Sequence, residues 1–173
     1  MTKAVNLAAI GSNANSGGSL ITSSTVQAST SGTTVDFTGI PSWVKRITVM
    51  FNGVSLSGTS DMLIQVGSGS VQSTGYISTG NNYNGANATG SSNSTAGFVI
   101  RISTAANVFI GHMMLTNISG NIWISSHNGL NSTANANNGG GNVTTSSTLD
   151  RVRITTVNGT DTFDAGSINI LYE

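Results

Sequence analysis

Apolar and polar residues alternate with a period of two through much of this chain. In "WVKRITVMF", Ile47, Val49 and Phe51 share one phase, while Arg46, Thr48 and Met50 share the other. Such alternation predicts a half-buried strand. "AGFVIRIS" sets Phe98, Ile100 and Ile102 inward and Arg101 outward. "TLDRVRITTV" alternates Arg151 and Arg153 with Val152 and Ile154, and "SINILY" puts Ile168, Ile170 and Tyr172 on one face. "DMLIQVG" reads as a shorter strand. "TVQAS" and "TTVDF" flank a turn at Thr30-Ser31-Gly32, and Pro41 closes that unit because proline cannot donate into a central ladder. "NVFIGHMMLTNIS" and "NIWISSH" meet at Ser119-Gly120-Asn121, a hairpin signal, and Asn158-Gly159 is a further turn. No segment carries a helical period. About eight short strands with polar turns predict an all-β, antiparallel β-sandwich, jelly-roll-like, over residues 25–173.

Three stretches fall outside this pattern. Residues 1–24 combine a mildly apolar start with flexible "SNANSGGS". They predict an N-terminal attachment arm, with Val5, Leu7 and Ile10 as its sticky residues. Ser78–Thr95 and His127–Thr148 are nearly free of apolar side chains, and they predict two long polar loops.

Composition sharpens the picture. Charged residues make up 7% of the 173 and the net charge is zero. Ordinary soluble proteins carry roughly 25%. Neutral amides and hydroxyls must therefore keep the surface wet, and long-range attraction to nucleic acid is excluded as a design. Neutral, strand-rich chains tend to associate, so a homo-oligomer is expected. The absence of cysteine removes disulfides, thiol catalysis and thiolate metal sites. No apolar run reaches membrane-spanning length, and Asn6 interrupts the only leader-like stretch. The protein is expected to be made in a cytoplasm without secretion.

Candidate chemistry is sparse. No serine stands in a nucleophile elbow. His112 reads as a packed strand residue, and His127 as a turn residue rather than a base. Asp161 and Asp164 suit turn capping better than a carboxylate pair or a calcium site, so neither a metal nor a cofactor is expected. Lys45, Arg46, Arg101, Arg151 and Arg153 keep strand faces wet, or else make intersubunit ion pairs with Asp36, Asp61, Asp150, Asp161 or Asp164. Glycan binding fits better than catalysis, since amides and hydroxyls match sugar hydroxyls and aromatic faces stack on sugar rings. The candidates are Tyr76, Asn81, Asn82, Tyr83 and Asn84, with Trp123, His127, Asn128 and Asn131. Trp123 reads more readily as core. Tyr83, set among asparagines, is the first choice.

"TTVDFTGIPSWVKRITVMFNGVSLSGTSDMLIQVG" and "TLDRVRITTVNGTDTFDAGSINILYE" together resemble the C-terminal domain of tailed-bacteriophage tail fibres and related virion proteins. The resemblance covers Thr33–Gly67 and Thr148–Glu173. It implies a homotrimeric β-knob on a phage particle, with variable middle regions facing the host and no catalytic residues. Family fibres carry a long N-terminal shaft where this chain has a short arm. The expected function is thus a short tail fibre or receptor-binding protein that contacts host polysaccharide. A capsid decoration protein clamping coat subunits is the alternative, and a depolymerase is a third. Val5, Leu7, Ile10, Lys45, Arg46, Arg151 and Arg153 are the candidates for particle attachment and trimer contacts.

Overall fold

The computed structural model describes residues 21–85, 87–131 and 135–173. Every described element is a strand, every pairing is antiparallel, and no helix occurs among the described residues. The larger sheet runs β1 (Thr22–Ser23), β14 (Phe163–Tyr172), β4 (Arg46–Leu56), β10 (Phe109–Ser119), β11 (Ile122–Asn131), β12 (Asn135–Thr144), β7 (Ile77–Asn84) and β8 (Asn87–Ser94). A short β2 (Gln27–Ala28) also pairs with β14. The smaller sheet runs β3 (Val35–Thr38), β13 (Arg151–Thr156), β5 (Met62–Ser68) and β6 (Ser70–Val71), with β9 (Phe98–Ile100) also on β5.

The two sheets share one apolar core in a sandwich-like arrangement. The phases predicted inward are the buried ones: Ile47, Val49 and Phe51 on β4, Val152 and Ile154 on β13, Ile168 and Ile170 on β14. Phe51 meets Phe109 edge-on at 5.4 Å, bringing β4 and β10 into register beneath their shared face. β5 is buried on both faces from Met62 to Gly67, which explains its continuous rather than alternating apolar character. The register shifts around Ala165 let β14 follow β4 past Gly53. Gly166 takes a φ of +93° there, and a Cβ would stand 2.4 Å from the Gly53 carbonyl oxygen, so only glycine fits.

Several expectations are corrected. The two segments read as loops are strands: Ser78–Thr95 forms most of β7 and all of β8, and His127–Thr148 supplies the end of β11 and all of β12. Their alternation is carried by Asn, Ser, Thr and Gly, so no apolar period marks it. Thr22 pairs with Tyr172, so the sheet begins inside the segment assigned to the arm. Val5, Leu7 and Ile10 lie outside the described residues. His112 is exposed, because Met113 and Leu115 take the inward phase of β10.

The arginines have partners within the chain. Arg153 grips Asp36 through two bonds of 2.7 Å, and Arg151 binds Asp150 at 2.7 and 3.2 Å. Arg46 pairs with Glu173, and Lys45 reaches Asn117 at 3.5 Å. Arg101 does not stand free on an outer face. It donates to Ser91 O (3.2 Å) and Ser92 Oγ (2.8 Å), and it lies against Gly90, where a Cβ would meet the guanidinium. Asp161 caps its turn as expected, accepting Ser60 N–H (2.9 Å) and Asn158 Nδ2–H (2.8 Å).

Candidate functional site

The predicted glycan residues divide between the two faces of the larger sheet. On five adjacent strands, β10, β11, β12, β7 and β8, there is no Asp, Glu, Lys or Arg. The outward side chains of these strands fall into rows, because antiparallel partners in register share a face. One row crosses the strands as Ile110, Leu130, Ala136, Tyr83 and Ala88. The next row is His112, Asn128, Asn138, Asn81 and Ser91, and a third is Met114, Ser126, Gly140, Thr79 and Asn93. An aliphatic row with one phenol thus lies beside an amide and imidazole row, and then a mixed row of thioether, hydroxyl, glycine and amide positions.

Asn81, Tyr83 and Asn128 are therefore brought together on one neutral face, and Asn84 stands exposed at the end of β7. Ile110 and Leu130 are about half exposed, at 49% and 51%. His112, Asn138, Ile110 and Leu130 belong to the same face and were not foreseen. Asn occupies both phases of "ISTGNNYN" and of "NANNGGGNV", and Gly both phases of the latter, so no alternation of residue type signals this face.

Asn82, His127 and Asn131 point the other way and are buried, as are Tyr76 and Trp123. Within this fold they cannot stack on or bind an external sugar. Trp123 belongs to the apolar core. Tyr76 packs edge-on against Phe98 at 5.0 Å, and its hydroxyl accepts Val66 N–H at 2.8 Å and lies 3.1 Å from Gln72 O. Burial pushes its pKa up to about 12.

The buried amides and the imidazole form a polar layer under the outer face. His127 Nε2 lies 2.8 Å from Asn137 Oδ1, while Asn137 Nδ2 donates to Asn82 Oδ1 (2.6 Å) and to Arg101 O (2.8 Å). With both Asn137 donors used in this way, His127 must carry its proton on Nε2. Asn131 Nδ2 donates to Arg101 O (2.9 Å) and Ile102 O (3.1 Å). The layer thus ties β11, β12 and β7 to the chain that follows β9. Gly80 allows this approach, since a Cβ there would stand 2.8 Å from Val99 O. Asp61 closes the same region by accepting Ile102 N–H (2.8 Å) and Ser103 N–H (3.0 Å), where Ser103 takes a φ of +63°.

Burial lowers the His127 pKa to about 4, with the bond to Asn137 opposing the shift and the electrostatic influence of nearby His112 adding to it. The ring is neutral at pH 7. Its Nδ1, together with Asn131 Oδ1, Ser125 Oγ and Arg101 Nε, is buried without a protein partner among the described residues.

No group of three or more metal-ligating side chains occurs among the described residues. The arrangement offers a broad hydrogen-bonding face with an aliphatic border. Searches against protein-family models, curated proteins and solved structures found no match to this chain.

Proposed function

We propose that the chain is a non-catalytic subunit of a tailed-phage virion, a short tail fibre or receptor-binding protein that meets host-surface glycan. The observation that carries this reading is the outer face of β10, β11, β12, β7 and β8. It is uncharged, dense in neutral donors and acceptors, and bordered by Tyr83 and aliphatic side chains. Sugars offer the complementary surface, with hydroxyls on their edges and C–H groups on their faces. In this reading the host contact is a sheet face rather than a pair of loops.

The working form is a homotrimer of jelly-roll-like knobs, whose exposed aliphatic residues are consistent with further burial on assembly. Three copies would raise a weak single-site affinity by about 10²–10⁴. The end that holds Trp43, Lys45, Arg46 and Ile118, where the described chain begins at Ile21, would face the particle.

Purified protein should block phage adsorption to host cells, and host polysaccharide should compete. Tyr83→Ala should weaken cell binding about tenfold, the loss of roughly 1.4 kcal/mol of stacking, with an unchanged melting temperature. Full blocking activity in that variant would remove the face from the reading. The capsid decoration reading has its own support in exposed Ile110, Ile124 and Leu130, which suit a protein partner as well as a sugar. Copy number per particle separates them: coat-like abundance means decoration, and a few dozen copies at most mean a fibre.

A further inference from the structure

The two edges of the larger sheet are different. β1 lies at one edge, where the chain enters the sandwich, and β8 lies at the other. Among the described residues β8 pairs only with β7, and it contains neither proline nor a charged residue. Natural edge strands are usually shielded by such residues, by a bulge or by a covering segment. Here Arg101 takes Ser91 O, and one register shift follows Asn82. Arg101 also reaches Ser92 Oγ at 2.8 Å and Asp61 bonds the same hydroxyl, so the stretch of β8 beyond the reach of both is Asn93–Ser94.

Beside that end is an open cleft of about 320 Å³, lined by Tyr76, Ile77, Ser78, Asn93, Ser94 and Thr95. Ile77 at its rim is 73% exposed. An unshielded strand edge next to an apolar rim is the surface that an extended peptide recognises by adding a strand and seating alternate side chains.

We infer that residues 4–10 of a second copy occupy this edge and cleft. "AVNLAAI" puts Val5, Leu7 and Ala9 on one strand phase and Ala4, Asn6, Ala8 and Ile10 on the other, it is neutral like the edge, and it contains no proline. Length favours a neighbouring copy over the chain's own edge. Seven strand spacings separate β1 from β8 in the sheet order, roughly 34 Å along the sheet. Residues 11–20 are rich in Gly, Ser and Asn, and random-coil statistics for ten residues of such composition give a root-mean-square span of roughly 17 Å. Reaching its own β8 would need that linker nearly straight. A neighbour whose β8 stands beside β1 is within easy reach.

Because donor segment and acceptor edge are different surfaces, the contact is heterologous, and it closes only as a ring. It gives the arm a task between copies instead of on the particle. It stands apart from the host-binding reading, since a ring could close in a protein that binds no glycan.

The absence of cysteine makes the test clean. In the full chain carrying Asn6→Cys and Asn93→Cys, mild oxidation should yield covalent oligomers that stop at one closed size. Pairing Asn6→Cys with Thr38→Cys, on the smaller sheet, should give none. Deleting residues 1–10 should turn the assembly into monomer in light scattering while leaving the thermal transition in place. Cross-linking confined to single chains, a full-length protein that is monomeric at micromolar concentration, or an assembly that survives the deletion would each overturn the inference.

Discussion

Asn137→Ala is expected to destabilise the protein by about 3–5 kcal/mol. Asn137 is the hub of the buried layer, bonded to His127, Asn82 and Arg101 O at 2.6–2.8 Å. Truncation leaves the His127 Nε2–H without its acceptor and Asn82 Oδ1 without its donor. Each stranded buried group costs about 1–3 kcal/mol. Arg101 O keeps Asn131, so it adds less. A small void adds to the loss. Asn138→Ala, one residue along and on the outer face, should change stability by no more than about 0.5 kcal/mol. Urea unfolding of the two variants makes the comparison. If Asn137→Ala lost under about 1 kcal/mol, the layer would not be what fastens this end of the larger sheet to the segment after β9.

Stability should also fall on mild acidification because of His127. In the unfolded chain this ring titrates near 6.5, and in the fold near 4. Between those values the unfolded chain binds the proton and the folded chain does not, so stability rises with pH across that window. The contribution is complete above about pH 6.5 and is lost as pH drops through 4. The whole span amounts to about 3 kcal/mol, since each pKa unit is worth about 1.4 kcal/mol. Asp150 is held below the usual carboxylate range first by its bond to Arg151, and Asp161 by its bond to Asn158. Their contributions disappear at lower pH, beneath the window. His127→Gln can keep a bond to Asn137 and cannot titrate, so its urea midpoint should be nearly flat from pH 6.5 to 4.5. A wild-type midpoint equally flat over that range would mean that the ring is hydrated or already charged in the fold.

The half of the molecule built from Val, Ile and Phe was legible in the sequence, because hydrophobic burial writes a period-two signal. β4, β13 and β14 were read with their inward phases correct. β7, β8 and β12 were not, because their inward positions hold Ser78, Gly80, Asn82, Gly139 and Asn137 in place of apolar side chains. Backbone pairing and close approach to β9 stabilise those strands, and neither leaves a hydropathy trace. The same reason explains the misplaced side chains. His127 and Asn131 looked like loop residues until the strand carried them inward in step with Trp123. Asn81, Tyr83 and Asn128 came out on one face because a strand register, invisible in one sequence, aligned them. The charges of Arg151 and Arg153 were read correctly as surface groups; Arg151 binds its own neighbour Asp150, but Asp36 could be assigned to Arg153 only once β13 was paired with β3.

The five strands without a formal charge carry one more implication. Electrolyte shields interactions between ions, with a Debye length of about 10 Å at 0.1 M and 3 Å at 1 M. It leaves amide–hydroxyl bonds and apolar contacts largely untouched, and strongly excluded ions even reinforce the latter. Any contact made through this face would therefore persist from brackish water to brine, where one relying on lysine or aspartate would weaken.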